Sequence, residues 1–155
     1  MNSHFNIYDN YITSNYSFDF MGEFVLSNSR FFLSKKNVIW SYDNNEYVFV
    51  KSFESLSKNH FSEFILPFSN FALNNFVKPD ENHMSTYITM FLSAQEIDAD
   101  LINYIKRYNK RKSYSFGLRG YSNFRIILFN SNTHEFFYNK DTKDAIKFYK
   151  EVLLS

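Results

Sequence analysis

The first third of the chain alternates between apolar and polar residues, and this pattern predicts β-strands. Tyr16, Phe18 and Phe20 are separated by single polar residues, the two-residue period of a half-buried strand. Further strands are predicted at residues 24–26, 31–33, 38–42 and 47–51. The triplet of residues 43–45 favours a turn because Asp and Asn tolerate left-handed backbone. We therefore predict a hairpin joining residues 37–42 to residues 46–52.

After residue 57 the apolar spacing changes to three and four residues, which predicts a helix with one apolar face. Ser57 is its predicted N-cap. Pro67 lies inside the run and should kink it or split it in two, because proline lacks a backbone donor and clashes with the preceding turn. The predicted inward-facing residues are Phe61, Phe64, Ile65, Phe68 and Ala72.

The second half of the chain predicts a strand at residues 86–93, then a helix beginning near Ile97. Ser93 and Glu96 have capping-box spacing in front of that helix. Strands are predicted next at residues 113–118, 124–129 and 135–139, with Gly117 and Gly120 marking a sharp bend. Asp141 is the predicted cap of a last helix, whose inward-facing residues are predicted to be Ala145, Phe148, Tyr149 and Val152.

This order of elements predicts an α+β fold, with one mixed, mainly antiparallel sheet and about three helices packed on it. A strand, a crossover helix and another strand require at least one parallel pair. The length of 155 residues suits a single domain over residues 1–155, with residues 1–15 the least ordered. Aromatic residues form 21% of the chain, so we expect rings to supply most of the buried surface.

The absence of cysteine excludes disulfides, thiolate metal sites and a cysteine nucleophile. A reducing compartment is therefore expected. Residues 1–16 do not resemble a signal peptide, and no apolar run approaches the roughly 20 residues of a membrane span. We accordingly predict a cytoplasmic protein that does not act on a membrane.

The net charge of +1 is unevenly distributed along the chain. Residues 1–105 contain six Lys or Arg and twelve Asp or Glu, a net of −6, whereas residues 106–155 contain eleven and four, a net of +7. A basic segment with interleaved aromatic residues can contact phosphates and stack on bases. The alternative is that the two halves neutralise each other across the fold. The candidate binding residues are Lys106, Arg107, Lys110, Arg111, Lys112, Tyr114, Arg119, Tyr121 and Arg125.

Catalytic motifs find little support in this sequence. The four histidines are scattered, with no second histidine within a helical turn of any of them. The predicted order of elements also occurs in restriction-endonuclease-like nucleases, which need an acid-x-Lys pair on a strand. On residues 46–51 the acid and the lysine are five apart, and the matching pair, Asp141 with Lys143, lies at a turn. We predict no catalytic residue, no metal and no cofactor, and keep a degenerate nuclease as an alternative.

Several segments resemble a family of small uncharacterised single-domain proteins from anaerobic microbes. They are residues 32–36, 45–51, 77–79, 83–86 and 112–121, and the resemblance extends from Phe18 to about Tyr149. It implies no activity, but it directs attention to a polar site formed by Lys51, His83 and Thr86. The alternative for His83 is a hydrogen bond to a backbone group that secures a loop.

The sequence therefore predicts a non-catalytic binding protein that docks on a macromolecular partner, a protein or a nucleoprotein. A small regulator or a mobile-element inhibitor of a defence nuclease would fit this description. The alternative is a nucleic-acid-binding protein that uses the basic segment of residues 106–125.

Overall fold

The computed structural model describes residues 2–31 and 38–155. The strands are β1 (Asn2–Thr13), β2 (Tyr16–Phe31), β3 (Val38–Leu56), β4 (His83–Ile97), β5 (Arg111–Ser113), β6 (Tyr121–Asn130) and β7 (Glu135–Tyr138). The helices are α1 (Lys58–His60), α2 (Leu66–Asn75), α3 (Ala99–Arg107) and α4 (Ile146–Leu154), and a π-helical segment (Phe61–Ile65) joins α1 to α2.

All seven strands form one sheet in the order β1-β2-β3-β4-β6-β5, and β7 also pairs with β6. The β1-β2 and β2-β3 pairs are antiparallel, as are the pairs of β6 with β5 and β7. The β3-β4 and β4-β6 pairs are parallel. This arrangement confirms the predicted α+β fold with a mixed, mainly antiparallel sheet, and it contains two parallel pairs where at least one was expected.

The helices cover the two faces of the sheet unequally. The two parallel connections place α2 and α3 on one face, which we call the helical face, where they bury Phe68, Leu101 and Ile105 against the sheet. Among the described helices, α4 covers the opposite face, which we call the α4 face, through a small cluster around Phe91 and Ile127. The two faces therefore differ in burial along the same strands.

Aromatic rings form the centre of the helical face, as the composition predicts. The ring centroid of Phe68 in α2 lies 4.8 Å from that of Phe18 and 4.9 Å from that of Phe49. The ring centroid of Tyr16 lies 5.1 Å from that of Phe68, in an edge-to-face geometry. Such pairs add about 0.5–1.5 kcal/mol each to the free energy of burial. The core thus fixes α2 across β2 and β3.

The predicted hairpin at residues 43–45 is wrong. β3 runs through these residues without interruption, and they pair with residues 25–27 of β2. The segment that connects β2 to β3, residues 32–37, lies outside the described residues, as does the predicted strand end at residues 32–33. Asn44 and Asn45 also pair with β4, and Oδ1 of Asn44 accepts a hydrogen bond of 2.6 Å from the Ser85 hydroxyl. Pairing on both sides outweighs the local turn preference.

The first helical region begins where the sequence predicts and changes its geometry, without interruption, beside Pro67. Ser57 precedes α1, and its N–H donates to Nδ1 of His60 at 3.0 Å, one half of a capping box. The geometry changes from π to α one residue before Pro67. A proline ring placed later in a regular helix would clash with the carbonyl group four residues earlier. The helix accommodates Pro67 by this change of pitch.

Two other predicted helix starts are corrected. β4 extends to Ile97, so Ser93 and Glu96 lie in a strand, and Asp98 caps α3 by accepting from the Asp100 N–H at 3.1 Å. Asp141 lies in a 3₁₀ turn, and α4 starts only at Ile146. Phe148 and Val152, predicted to face inward, are exposed, because α4 covers only part of its face of the sheet.

The N-terminal region, predicted to be the least ordered, contains β1. The strand pairs with β2 from Asn2–Ser27 to Thr13–Tyr16, so its backbone groups have partners on that side. Asn10 interrupts the regular alternation with a φ of 49°.

The outer edge of β6 is completed by one asparagine side chain. β5 pairs with residues 121–123 and β7 with residues 127–130, which leaves the backbone between them uncovered. Oδ1 of Asn139 accepts from the Ile126 N–H at 3.0 Å, and its Nδ2 donates to the Phe124 carbonyl at 2.9 Å. Thr142 donates to the same Oδ1 at 2.6 Å. Asn139 therefore replaces a missing strand in the buried edge.

We predict that Asn139→Ala lowers the free energy of unfolding by about 2–4 kcal/mol, because it leaves two buried backbone groups without partners. Asn132→Ala is the matched control, since the exposed Asn132 side chain donates to the Gln95 carbonyl at 3.1 Å; it should cost less than about 1 kcal/mol. Urea denaturation monitored by circular dichroism measures both. Equal losses would contradict this role for Asn139.

Candidate binding surface

The segment between β5 and β6 is a tight turn with unusual backbone geometry. We call residues 114–120 the Phe116 loop. Four of its residues have positive φ: Ser115 (48°), Phe116 (54°), Gly117 (88°) and Gly120 (76°). The Tyr114 carbonyl accepts from the N–H groups of Gly117 and Arg119, at 2.9 and 3.2 Å. The predicted strand at residues 113–118 therefore ends at Ser113, and the predicted sharp bend at the two glycines is confirmed.

A buried histidine secures this loop from below. His83, only 5% exposed, places Nδ1 2.6 Å from the Arg119 carbonyl oxygen and Nε2 2.8 Å from the Thr86 hydroxyl. A carbonyl oxygen can only accept, so Nδ1 donates to the Arg119 carbonyl, while Nε2 shares a hydrogen bond with the Thr86 hydroxyl. The rings of His83 and Tyr114 also pack edge to face, with their centroids 5.6 Å apart. His83 thus bonds a backbone group, which is the structural alternative weighed for it.

The structure does not bring Lys51 together with His83 and Thr86. The amino group of Lys51 donates to the Ser17 carbonyl at 2.7 Å and to its hydroxyl at 3.0 Å. Thr86 pairs with Asn45 of β3, six residues from Lys51, or roughly 20 Å at the rise of a strand. His83 and Thr86 form a structural pair, and Lys51 is a separate surface residue.

Two apolar side chains of the Phe116 loop point into solvent. Phe116 is fully exposed, and Leu118 is 86% exposed. A positive φ is a rare and strained conformation for a bulky aromatic residue. The chain therefore accepts both backbone strain and exposure of apolar surface at the same place. Neither residue is among the binding residues predicted from the sequence, although the position of Leu118 between two glycines indicates an exposed turn.

Six basic residues lie in the segment that runs from the end of α3 to the Phe116 loop. We call this set the cationic edge: Lys106, Arg107, Lys110, Arg111, Lys112 and Arg119. Lys106 and Arg107 lie in the last turn of α3, where they also complement the helix dipole. Lys110 and Lys112 donate to the side chains of Asn70 and Asn74 on α2.

Within the described residues, no member of the cationic edge forms an ion pair. The two side-chain ion pairs in that part of the chain are Arg125–Glu46 and Lys147–Glu151. Neutralisation of the basic segment by the acidic half of the chain is therefore seen at Arg125 alone. Other members of the edge contact neutral groups instead: Arg111 lies over the Tyr121 ring, and Nη1 of Arg119 lies 3.5 Å from the Pro79 carbonyl oxygen.

Arg125 does not belong to the exposed surface, contrary to its grouping with the basic segment. It is 8% exposed, and its guanidinium lies 3.8 Å from the Tyr87 ring centroid. Nη1 lies 3.4 Å from Oε1 of Glu46, and Nε donates to the Asp141 carbonyl at 3.1 Å. The reason is its place on β6, a strand paired on both sides, with its side chain on the α4 face.

The tyrosines predicted to stack on bases already have partners. The Tyr121 ring is covered by the guanidinium of Arg111 at 4.1 Å, and its hydroxyl lies 2.9 Å from that of Tyr87. The Tyr114 hydroxyl lies 2.8 Å from that of Ser122. Burial raises the pKa of Tyr114, and burial followed by the bond to Tyr121 raises the pKa of Tyr87 to about 12. These rings support the loop and leave Phe116 as its exposed aromatic group.

The residues considered for a nuclease site are not assembled into one. Glu46 lies on the α4 face with Arg125, whereas Lys51 lies over the rings of Phe53 and Phe64 on the helical face. Burial raises the pKa of Asp141, opposed by Arg111 and Arg125, and Lys143 is exposed. In the part of the chain that the structure describes, no group of three or more His, Asp or Glu side chains is placed to hold a metal ion.

The fold and this surface define an α+β protein with a strained, cation-flanked loop at one end of a mixed sheet. The sequence matches the model of a family described as a domain of unknown function, DUF8052, over residues 1–151, so the chain belongs to that family. The predicted resemblance to an uncharacterised family is thereby confirmed. No curated protein and no solved structure shows a significant match to the chain. None of the helices in the described ranges combines the length and apolar character needed to cross a membrane.

We predict that Gly120→Ala lowers the free energy of unfolding by about 3 kcal/mol or more, because the added Cβ would lie 2.1 Å from the Met84 carbonyl oxygen. Gly117→Ala is the control, since it shares a positive φ but meets no atom within 4 Å. Gly117→Ala should lower the free energy of unfolding by about 1 kcal/mol. Chemical denaturation of both variants is the measurement, and similar costs would show that β4 does not constrain the loop.

We predict that the protein loses stability between pH 10 and 12, partly through Tyr149. Burial and then the charge of Glu46 raise the pKa of Tyr149 to about 12, against 10.0 for an unperturbed tyrosine. The raised pKa of Tyr149 contributes roughly 2–3 kcal/mol to the free energy of unfolding. This contribution is complete below pH 10 and is lost as the pH rises through about 12. Tyr149→Phe should flatten the pH dependence of the unfolding free energy in this window. An unchanged slope would contradict the assignment.

Proposed function

We propose that the protein is a non-catalytic binding protein that docks on an acidic protein or nucleoprotein through the Phe116 loop and the cationic edge. The observation that carries the proposal is the fully exposed Phe116 on a strained but secured loop. Single exposed apolar residues are ordinary in proteins. An exposed aromatic residue whose backbone strain is maintained by a buried histidine needs a different reason.

Preorganisation supports this proposal. Backbone bonds within the loop and the bond from His83 to the Arg119 carbonyl hold the apolar tip in one position. A partner would then lose little free energy in ordering the loop. Aromatic residues and arginine are also the residues most enriched at the centres of interfaces.

The charge arrangement supports an acidic partner. The cationic edge precedes the tip in the chain and includes Arg119 of the loop itself, and none of its members has a carboxylate partner among the described residues. A complementary site would be an apolar pocket bordered by carboxylates, which increases the rate of association and disfavours basic partners. The chain contains no cysteine, as is common for proteins of a reducing compartment. We therefore place this interaction in the cytoplasm.

Direct binding of nucleic acid is the second candidate, and the cationic edge favours it. Against it, Leu118 has no ring to stack on a base, and the rings of Tyr114 and Tyr121 already have partners. Anisotropy titrations with single-stranded DNA, RNA and duplex DNA at two salt concentrations distinguish the candidates. Binding that falls steeply with salt and disappears in the combined Arg111→Ser, Lys112→Ser, Arg119→Ser variant would favour nucleic acid over protein.

We predict that Phe116→Asn separates stability from binding. Asparagine adopts positive φ more readily than phenylalanine, so the free energy of unfolding should stay equal or rise by about 0.5–1 kcal/mol. Loss of the aromatic anchor should weaken partner binding by about 30-fold or more. Ile12→Asn, at another exposed apolar position, is the binding control.

The measurement compares proteins recovered from host lysate by the tagged wild type, the two variants and a Lys147→Ser, Lys150→Ser charge control, after nuclease treatment. The proposal requires one acidic protein that is lost with Phe116→Asn and kept by both controls. Its affinity is then measured with the purified partner. If every protein recovered by the wild type is also recovered by Phe116→Asn, the loop is not the docking element.

A further inference from the structure

A second site lies on the α4 face, between α4 and the sheet. A cavity of about 300 Å³ opens there, at the lower end of the range for small-molecule sites. Its lining residues are Phe5, Gly22, Phe24, Glu46, Val48, Arg125, Ala145, Phe148 and Tyr149. One end is polar and the remainder is apolar, the usual composition of a site for a small organic ligand.

The polar end is a guanidinium held in one orientation. Arg125 stacks on Tyr87, its Nε is bonded to the Asp141 carbonyl, and its Nη1 pairs with Oε1 of Glu46. Its side chain is nine-tenths buried, at 10% exposure, whereas that of Glu46 is 34% exposed. Nη2 of Arg125 and Oε2 of Glu46 have no hydrogen-bond partner among the described residues. The cavity therefore presents a free donor near a free acceptor.

Unsatisfied polar atoms gather around the same arginine. Oγ1 of Thr89, Oδ1 of Asn123 and Oδ2 of Asp141 are buried and have no hydrogen-bond partner in the part of the chain that the structure describes. Thr89 lies directly beside Arg125 in the sheet, and Asn123 is two residues before it on the same face. Native proteins rarely leave buried polar atoms unpaired. These three side chains are not among the residues that line the cavity, so they describe the polar surroundings of Arg125 and not the wall of the site.

The apolar walls are also left open. Phe5 is 62% exposed and Phe148 is 64% exposed, although both border the cavity. Gly22 of β2 also lines the cavity and is regularly paired with Ile7 and Val48, so no bulge explains a glycine at this position. A glycine inside a strand often marks a close approach of a ligand. A flat molecule could pass over Gly22 and lie between the rings.

We propose that this cavity binds a flat, uncharged and largely apolar molecule with a hydrogen-bond acceptor next to a donor, as in an aromatic amide. The acceptor would meet Nη2 of Arg125 and the donor Oε2 of Glu46. A carboxylate ligand would be repelled by Glu46 and an ammonium ligand by Arg125, so the ion pair selects for neutrality. This site is independent of the Phe116 loop and of the docking function proposed for it.

The test uses four probes of one scaffold, benzamide, benzoate, benzylammonium and toluene, titrated into the full-length protein. Amide chemical shifts of Gly22, Val48 and Tyr149 report binding. Benzamide should bind at least tenfold more tightly than each of the other three probes. Glu46→Gln leaves Arg125 without its counter-charge and should make benzoate the tightest ligand of the series.

Gly22→Leu fills the cavity and should weaken benzamide binding at least tenfold, while Gly22→Ala, whose Cβ meets only the Phe5 ring at 3.8 Å, should retain it. Should Gly22→Leu fail to fold, Ala145→Leu fills the cavity from the side of α4. The proposal is overturned if benzoate or benzylammonium matches benzamide in the wild type. It is equally overturned if the folded cavity-filling variant binds benzamide like the wild type.

Discussion

Parallel pairing of β3, β4 and β6 is the constraint on which the rest of this structure depends. Parallel neighbours need crossover connections, and these crossovers carry α2 and α3 over one face of the sheet. They also bring the beginnings of β4 and β6 to the same edge. The segment that enters β6 therefore meets the start of β4, where Gly120 approaches Met84 and His83 bonds the Arg119 carbonyl.

The same constraint produces the difference between the two faces. The helical face receives both crossovers and fills with aromatic rings. The α4 face is left with a single terminal helix, which covers Phe91 and Ile127 but not the start of the strands. Polar side chains occupy that uncovered part, and the ion pair between the buried Arg125 and the half-buried Glu46 forms there. The cavity is the space that α4 does not fill.

Backbone strain and exposed apolar surface coincide at the Phe116 loop. A bulky residue at positive φ persists only when its surroundings determine the backbone, and the bonds from His83 and Tyr114 do so. The buried polar atoms around Arg125 represent a second cost that the fold tolerates. The strained loop and the unpaired polar atoms both lie outside the aromatic core. The free energy gained by burial in that core can offset what they cost.

By itself, the sequence determined the elements whose patterns are long and locally consistent. The helix after Ser57, the strands β4 and β6 and the unequal distribution of charge all follow from periodicity and composition. Each rests on a preference that many neighbouring residues share, so no single contact can reverse it.

Tertiary structure alone decided where those preferences were overruled. Residues 43–45 form strand because β2 and β4 supply hydrogen bonds on both sides. Arg125 is not part of the exposed basic surface because it pairs with Glu46, which is distant in sequence but close to it in the sheet. The exposure of Phe116 and the opening of the cavity likewise depend on which strands meet. A turn or cap preference is worth about 1 kcal/mol, whereas the pairing of whole strands adds many such terms, and a sequence read locally contains no record of the partners.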